Sequence, residues 1–152
     1  MKHGYYGSKK AGAALGLLAT AVGLAAAELI VGLVPGSSSP VVPVGQEFID
    51  WTPKPLKDWA IEQFGTSDKA VLVAGALVVI LGIGVIVGIL MMRGERAGAF
   101  ALTGVIGVAG AWAVLIRPDP TFAKLLPTIV GTGVSIAVLW WLGPKPVVSE
   151  ED

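Results

Sequence analysis

The sequence predicts an all-α integral membrane protein with four transmembrane helices arranged as two hairpins. Hydrophobic residues make up 54% of the 152 residues and charged residues only 14%, whereas soluble domains average about 25% charged residues. The mean hydropathy is +0.76. About 20 apolar residues cross the hydrocarbon core of a bilayer, and four stretches approach or exceed that length. They are residues 11–34, 70–92, 97–116 and 122–142.

The first apolar stretch follows Lys9 and Lys10, as the core of a signal peptide would. It is longer than the usual core of about 7–15 residues, so we expect a retained helix. Small residues recur along it at spacings of three and four. Such a stripe lets a neighbouring backbone approach closely, which is how membrane helices associate. The stripe consists of Gly12, Gly16, Thr20, Gly23 and Ala27.

Glu28 is a carboxylate inside this first stretch. A charge at that depth is costly, so it marks either a functional site or an internal partner. One interpretation is a hydrogen bond from Glu28 to polar groups of the following loop. The alternative is a proton or ion pathway, although the other stretches offer no ionisable residue in their interior to continue a relay.

Glycines predict close packing in two further stretches. Gly84 and Gly88 form a GxxxG pair in the second stretch, and Gly104, Gly107 and Gly110 repeat at intervals of three in the third. In the fourth stretch, Thr128, Thr132 and Ser135 line one side and can hydrogen-bond to neighbouring helices. Pro127 precedes them and is expected to kink or restart the helix.

The long polar passage between the first two stretches, residues 35–69, is predicted to be an outer loop. Repeated prolines indicate extended chain up to residue 53. Residues 55–64 then predict a short amphipathic helix lying in the membrane interface, with docking onto a partner domain as the alternative. Its apolar face carries Leu56, Trp59, Ala60 and Phe64.

The remaining segments are short. Residues 1–10 form an N-terminal tail and residues 143–152 a polar C-terminal linker. Lys and Arg are densest in the two tails and in the turn at 93–96, which predicts a multi-pass plasma-membrane protein with both termini in the cytoplasm. A formal net charge of zero gives no reason to expect nucleic acid, so the lipid bilayer is the expected partner.

Chemistry-bearing residues are sparse. The only histidine, His3, lies in the tail, and there is no cysteine. Haem within a helical bundle needs axial ligands inside the helices, so a haem cytochrome is argued against. Glu47 and Asp50 are neighbours in the polar loop and are interpreted as solvated. We assign no catalytic, cofactor or metal residue, and whether the chain takes part in an enzyme is left open.

Five pieces of text are more specific: AAAELIVGLV (25–34), SPVVPVG (39–45), FIDWTP (48–53), LKDWAI (56–61) and FGTSDKAVLVAG (64–75). They resemble the N-terminal membrane region of actinobacterial molybdopterin-dependent oxidoreductases, relatives of sulfite oxidase. In that family a soluble domain follows and binds the molybdenum cofactor through a cysteine. Because this chain has no cysteine, the resemblance implies a membrane module only. The chain is then a fragment, or the catalytic part is a separate subunit.

The resemblance implies a membrane anchor that positions a molybdopterin-dependent oxidoreductase domain or subunit, and the molybdenum cofactor is expected only in that partner or missing domain. Two alternatives stay open: a small transporter or proton-conducting subunit centred on Glu28, and a structural subunit of a larger membrane complex. The candidate site residues, structural or functional, are Glu28, Asp50, Trp51, Trp59 and Phe64.

Overall fold

The computed structural model describes residues 7–37, 39, 41, 53–64 and 68–145. Throughout those residues the regular structure is helical. The helices are α1 (Lys9–Leu33), α2 (Lys54–Phe64), α3 (Asp68–Met92), α4 (Arg96–Leu115) and α5 (Phe122–Leu142).

Four of these helices, α1, α3, α4 and α5, are long and apolar enough to cross a membrane. The predicted all-α membrane fold is therefore confirmed, and the helix bounds lie within two residues of the predicted ones. Many large apolar side chains on all four helices are exposed, as expected for surfaces that face lipid tails instead of water.

The packing centres on α1. This helix runs along α3 on one side and along α5 on the other, whereas α4 contacts α3 and α5 less extensively. α1 and α4 thus occupy opposite corners of the bundle. Because α1 packs on both α3 and α5, the arrangement as two separate hairpins is not confirmed.

The α1–α3 contact is made by glycines. Gly12 and Gly16 of α1 meet Gly88 and Gly84 of α3 so closely that a Cβ atom added at Gly12 would lie 2.9 Å from the Gly88 carbonyl oxygen. A Cβ atom added at Gly16 would overlap the Gly84 carbonyl group. The predicted packing role of these small residues is confirmed, because only glycine permits this approach of two backbones.

The α1–α5 contact uses the other half of the same stripe. A Cβ atom added at Gly131 of α5 would lie 2.9 Å from the Gly23 carbonyl oxygen and 3.0 Å from the Ala27 side chain. Ser135 of α5 donates a hydrogen bond from its hydroxyl to the Ala19 carbonyl oxygen, at 3.1 Å. The stripe predicted as one packing face therefore serves two neighbours in succession.

The predicted glycine stripe of α4 is only partly correct. Gly107 and Gly110 face the side chains of Thr132 and Thr128 on α5. A Cβ atom added at Gly104 would meet nothing within 4 Å, so close packing at Gly104 was wrongly predicted. The stripe spans two turns, but α4 approaches its neighbour along only one of them.

Pro127 does not divide α5. The helix runs without interruption from Phe122 to Leu142, so the separate first turn considered from the sequence is not observed. Pro127 is buried in the sixth helical position, so its missing amide removes only the helical hydrogen bond to the Ala123 carbonyl in the first turn.

The turn between α3 and α4 closes one end of the bundle. Gly94 has φ +81°, the Glu95 amide donates to the Leu90 carbonyl and the Gly94 amide donates to the Met91 carbonyl. These are the two hydrogen bonds of a Schellman motif, which satisfies carbonyl groups that the end of α3 leaves unpaired. The tight turn predicted for this segment is confirmed.

We call this end, with the N-terminus of α1 and the C-terminus of α5, the termini end, and the opposite end the loop end. The buried apolar core lies toward the termini end. It consists of Leu15, Ala19, Val87, Met91, Ala99 and Leu139. The Arg96 guanidinium also donates to the Pro144 carbonyl there, which joins the start of α4 to the chain after α5.

Candidate functional site at the loop end

Toward the loop end the four long helices line a crevice of about 770 Å³ that is open on one side. All four contribute to its walls, together with Val41 from the polar passage. The described residues that line it carry no charge. Side chains that define its walls are Leu24, Ile80, Ile83, Ile106, Trp112 and Ala113.

The crevice follows from the unequal packing of the bundle. Glycines hold α1 against α3 and α5, whereas α4 contacts both neighbours less extensively. Val105, Val108 and Trp112 of α4 line the crevice and are also exposed, by 63%, 70% and 66%. The crevice is therefore open on the side of the bundle where α4 lies.

Two of the five hydroxyl groups on the described crevice walls are hydrogen-bonded within the protein. The Thr103 hydroxyl donates to the Ala99 carbonyl oxygen at 2.9 Å, and Ser135 is bonded to Ala19. The buried Thr128 hydroxyl has no hydrogen-bond partner among the described residues. The prediction that this side of α5 bonds to neighbouring helices is thus confirmed for Ser135.

Glu28 lies near the loop end of α1 and accepts a hydrogen bond from the Ser39 hydroxyl at 2.5 Å. The Ser39 oxygen in turn accepts from the Val41 amide at 3.4 Å. The Val41 side chain is only 6% exposed and closes one end of the crevice. The expected bond between Glu28 and the following loop is confirmed, and it joins Ser39 to α1 two residues before Val41.

A second cavity, of about 340 Å³, lies beside this bond. Leu24 and Glu28 of α1, Ser39, Val41, and Val73 and Leu77 of α3 form its walls. Glu28 is the charged residue of this cavity, and most of the side chains around it are apolar. The Ser39 hydroxyl therefore gives the carboxylate a hydrogen-bond partner where the other walls offer few.

Ser37 anchors the same segment to the end of α1. Its hydroxyl lies 2.6 Å from the Val34 carbonyl oxygen and 3.3 Å from that of Val31. These carbonyl groups have no partner within the helix, so the serine takes the place of a further helical turn. Gly36, with φ +83°, turns the chain to make this contact possible.

α2 exposes apolar side chains. Leu56, Trp59 and Ile61 are exposed by 55%, 54% and 51%, and α2 has only a small contact with α3. Leu56 and Trp59 belong to the predicted apolar face. The side chain of Phe64 and all of Asp50 and Trp51 lie outside the described residues, so their predicted importance stays a prediction.

Ionisable residues are scarce within the long helices. In the described membrane-crossing helices, the ionisable residues other than Glu28 lie in the first turn of a helix, as Arg96 and Lys124 do. Within the described ranges, no group of three or more His, Cys, Asp or Glu residues could hold a metal ion. The arrangement can hold apolar matter in the crevice, and α2 presents exposed apolar side chains.

The crevice was not foreseen from the sequence. The sequence indicates it only indirectly. The glycines of the first apolar stretch match those of the second in spacing, whereas the third stretch has a valine-rich side that matches no stripe of small residues on another helix. That difference indicates which helix is held loosely, but it does not give the resulting space.

Comparison of the chain with protein-family models, curated proteins and solved structures found no match.

Proposed function

We propose that the chain is a membrane-anchoring module that positions a molybdopterin-dependent oxidoreductase domain or subunit at the membrane surface. One observation carries the proposal: α2 presents exposed apolar residues and contacts α3, and the start of the same polar passage is hydrogen-bonded to α1. A surface joined to the bundle in this way, through α1 and through α3, can hold a partner at the membrane.

The first element of this function is the attachment of the start of the polar passage to α1. Ser37 and Ser39 are bonded to the last turns of α1, and α1 is held by glycine contacts to two helices. Movement of the partner relative to the membrane would therefore be limited by the polar passage and not by the bundle.

The position of α2 is the second element. Helices with an apolar and a charged side commonly lie in the membrane interface, with Trp and Leu at the boundary of the acyl chains. Leu56 and Trp59 fit that role, and Lys57, Asp58 and Glu62 face other directions on the helix. The partner would then contact the polar side and the flanking loop.

The resemblance of the polar passage to molybdopterin oxidoreductases names the partner's class. The molybdenum cofactor belongs to the partner, because the family holds it through a cysteine and this chain has none. We further propose that the protein lies in the plasma membrane with both termini in the cytoplasm, so that the partner docks on the outer face.

The test is the molybdenum content of the protein isolated from its native membranes. The tagged full chain is solubilised in mild detergent and captured, and molybdenum and molybdopterin are measured in the eluate. Wild type should carry both. The variant with both Leu56→Ala and Trp59→Ala should stay in the membrane through its four long helices. It should lose most of the molybdenum, because α2 no longer lies in the interface where its polar side meets the partner.

A matched control changes the same residue types at the termini end, with Trp141→Ala and Leu142→Ala. Both side chains are exposed, by 76% and 43%, and lie far from α2 along the bundle. This pair should retain molybdenum. A wild-type protein that carries no molybdenum, or equal losses in both pairs, would contradict the proposal.

A further inference from the structure

We propose that the crevice binds the acyl chain of a membrane lipid. The inference rests on the volume, lining and opening of the crevice and does not depend on the proposed partner. It assigns to the loop end of the bundle a lipid held between the helices, in addition to the lipids that surround the protein.

Packing is the first reason. Protein interiors are filled to a density of about 0.74–0.76 and tolerate few voids larger than a water molecule. The crevice of about 770 Å³ is open on one side, and its apolar walls would lose dispersion contacts wherever no hydrocarbon covers them. In a membrane protein the space must therefore be occupied, and the occupant must match the walls.

Water does not match them. A buried water needs roughly 2–4 polar partners. The Thr103 and Ser135 hydroxyls are already donated to carbonyl groups, and the three other hydroxyls of the described lining, those of Thr20, Thr128 and Thr132, are too few to satisfy the water needed to fill about 770 Å³. A hydrocarbon chain needs no polar partner. The volume of the crevice also suits a ligand, because ligand pockets commonly measure about 300–1,000 Å³.

The opening gives the direction of entry. Val41 is buried in the crevice wall and is linked to α1 through Ser39 and Glu28, whereas the crevice is open along the exposed α4 side chains. A chain would thus enter sideways from the bilayer. Trp112 lies near the loop end of α4 and lines the crevice, at the depth where Trp residues usually meet lipid headgroups.

The test uses the full chain in phosphatidylcholine vesicles that contain a small fraction of phosphatidylcholine with a diazirine on one acyl chain. After illumination, lipid adducts are mapped by peptide mass spectrometry. The inference expects adducts on inward-facing walls, at Ile83 and Ile106, in addition to those on outward-facing residues.

Adjacent valines of α3 provide a matched pair of variants. Val79 lines the crevice and Val78 does not, and they are 40% and 70% exposed. Val79→Trp should reduce the adducts at Ile106 roughly tenfold, the change expected when about two buried methylenes of the chain are displaced. Val78→Trp should leave them unchanged.

Circular dichroism and gel filtration confirm that both variants fold before the adducts are compared. Adducts confined to outward-facing residues in wild type would overturn the inference. So would an equal effect of the two tryptophans on the adducts at Ile106.

Discussion

The glycine contact between α1 and α3 can be tested by comparing two Gly→Ala variants, because the change in helix propensity is the same in both and cancels. Gly16→Ala places a methyl group where the Gly84 carbonyl lies, whereas a Cβ atom added at Gly82, on the same pair of helices, meets nothing within 4 Å. Alanine is a better helix former than glycine by about 1 kcal/mol, and both variants gain this term. Their difference therefore reports the packing alone.

The expected difference follows from the geometry. Because the obstacle at Gly16 is a backbone carbonyl and not a flexible side chain, α1 and α3 must separate, and overpacking of this kind costs about 1–3 kcal/mol. Gly82→Ala should be neutral or stabilising. Gly12→Ala should fall between them, since its nearest atom would lie at 2.9 Å and a small shift relieves the contact.

The measurement is unfolding in mixed micelles at increasing dodecyl sulfate, followed by circular dichroism and Trp fluorescence. We expect midpoints in the order Gly82→Ala, Gly12→Ala, Gly16→Ala, from most to least resistant. Indistinguishable midpoints for Gly16→Ala and Gly82→Ala would show that α1 and α3 do not approach at these glycines, and the reasoning would fail.

Two further predictions concern Glu28 and the orientation. Glu28→Gln should unfold like wild type because an amide still bonds to the Ser39 hydroxyl. Glu28→Leu should lower the free energy of unfolding by about 1 kcal/mol because it leaves that hydroxyl unpaired. A stable Gln variant that abolished a proton flux shown by wild-type proteoliposomes would instead support a transport pathway. A cysteine at Asp58, in this cysteine-free chain, should react with an impermeant thiol reagent added outside intact cells, and a cysteine at Glu95 should not; the reverse pattern would refute the proposed orientation.

The helices could be predicted because each signal is local. An apolar run between polar ends determines a membrane-crossing helix, and Gly94 supplies the left-handed residue that ends α3. The partner of Glu28 was predictable for a similar reason, since Ser39 lies only 11 residues further along the chain and a carboxylate within a membrane-crossing stretch requires a nearby donor.

The packing partners were not predictable in the same way. Gly107 and Gly104 look equivalent in sequence, yet only Gly107 faces a neighbour. Which helix a stripe meets depends on how all four helices share the available surface, a non-local quantity. The crevice arises from that sharing, because α1 satisfies both α3 and α5 and leaves α4 with the looser contacts.

The central place of α1 has a consequence for biosynthesis. α1 leaves the ribosome first, but Gly131 and Ser135, which cover its second half, follow about 100 residues later, a delay of about 5–20 s at ordinary rates of synthesis. During this time the half of its small-residue surface that α5 later covers lacks its partner helix. The bundle therefore assembles around its earliest helix only after the last one has been inserted.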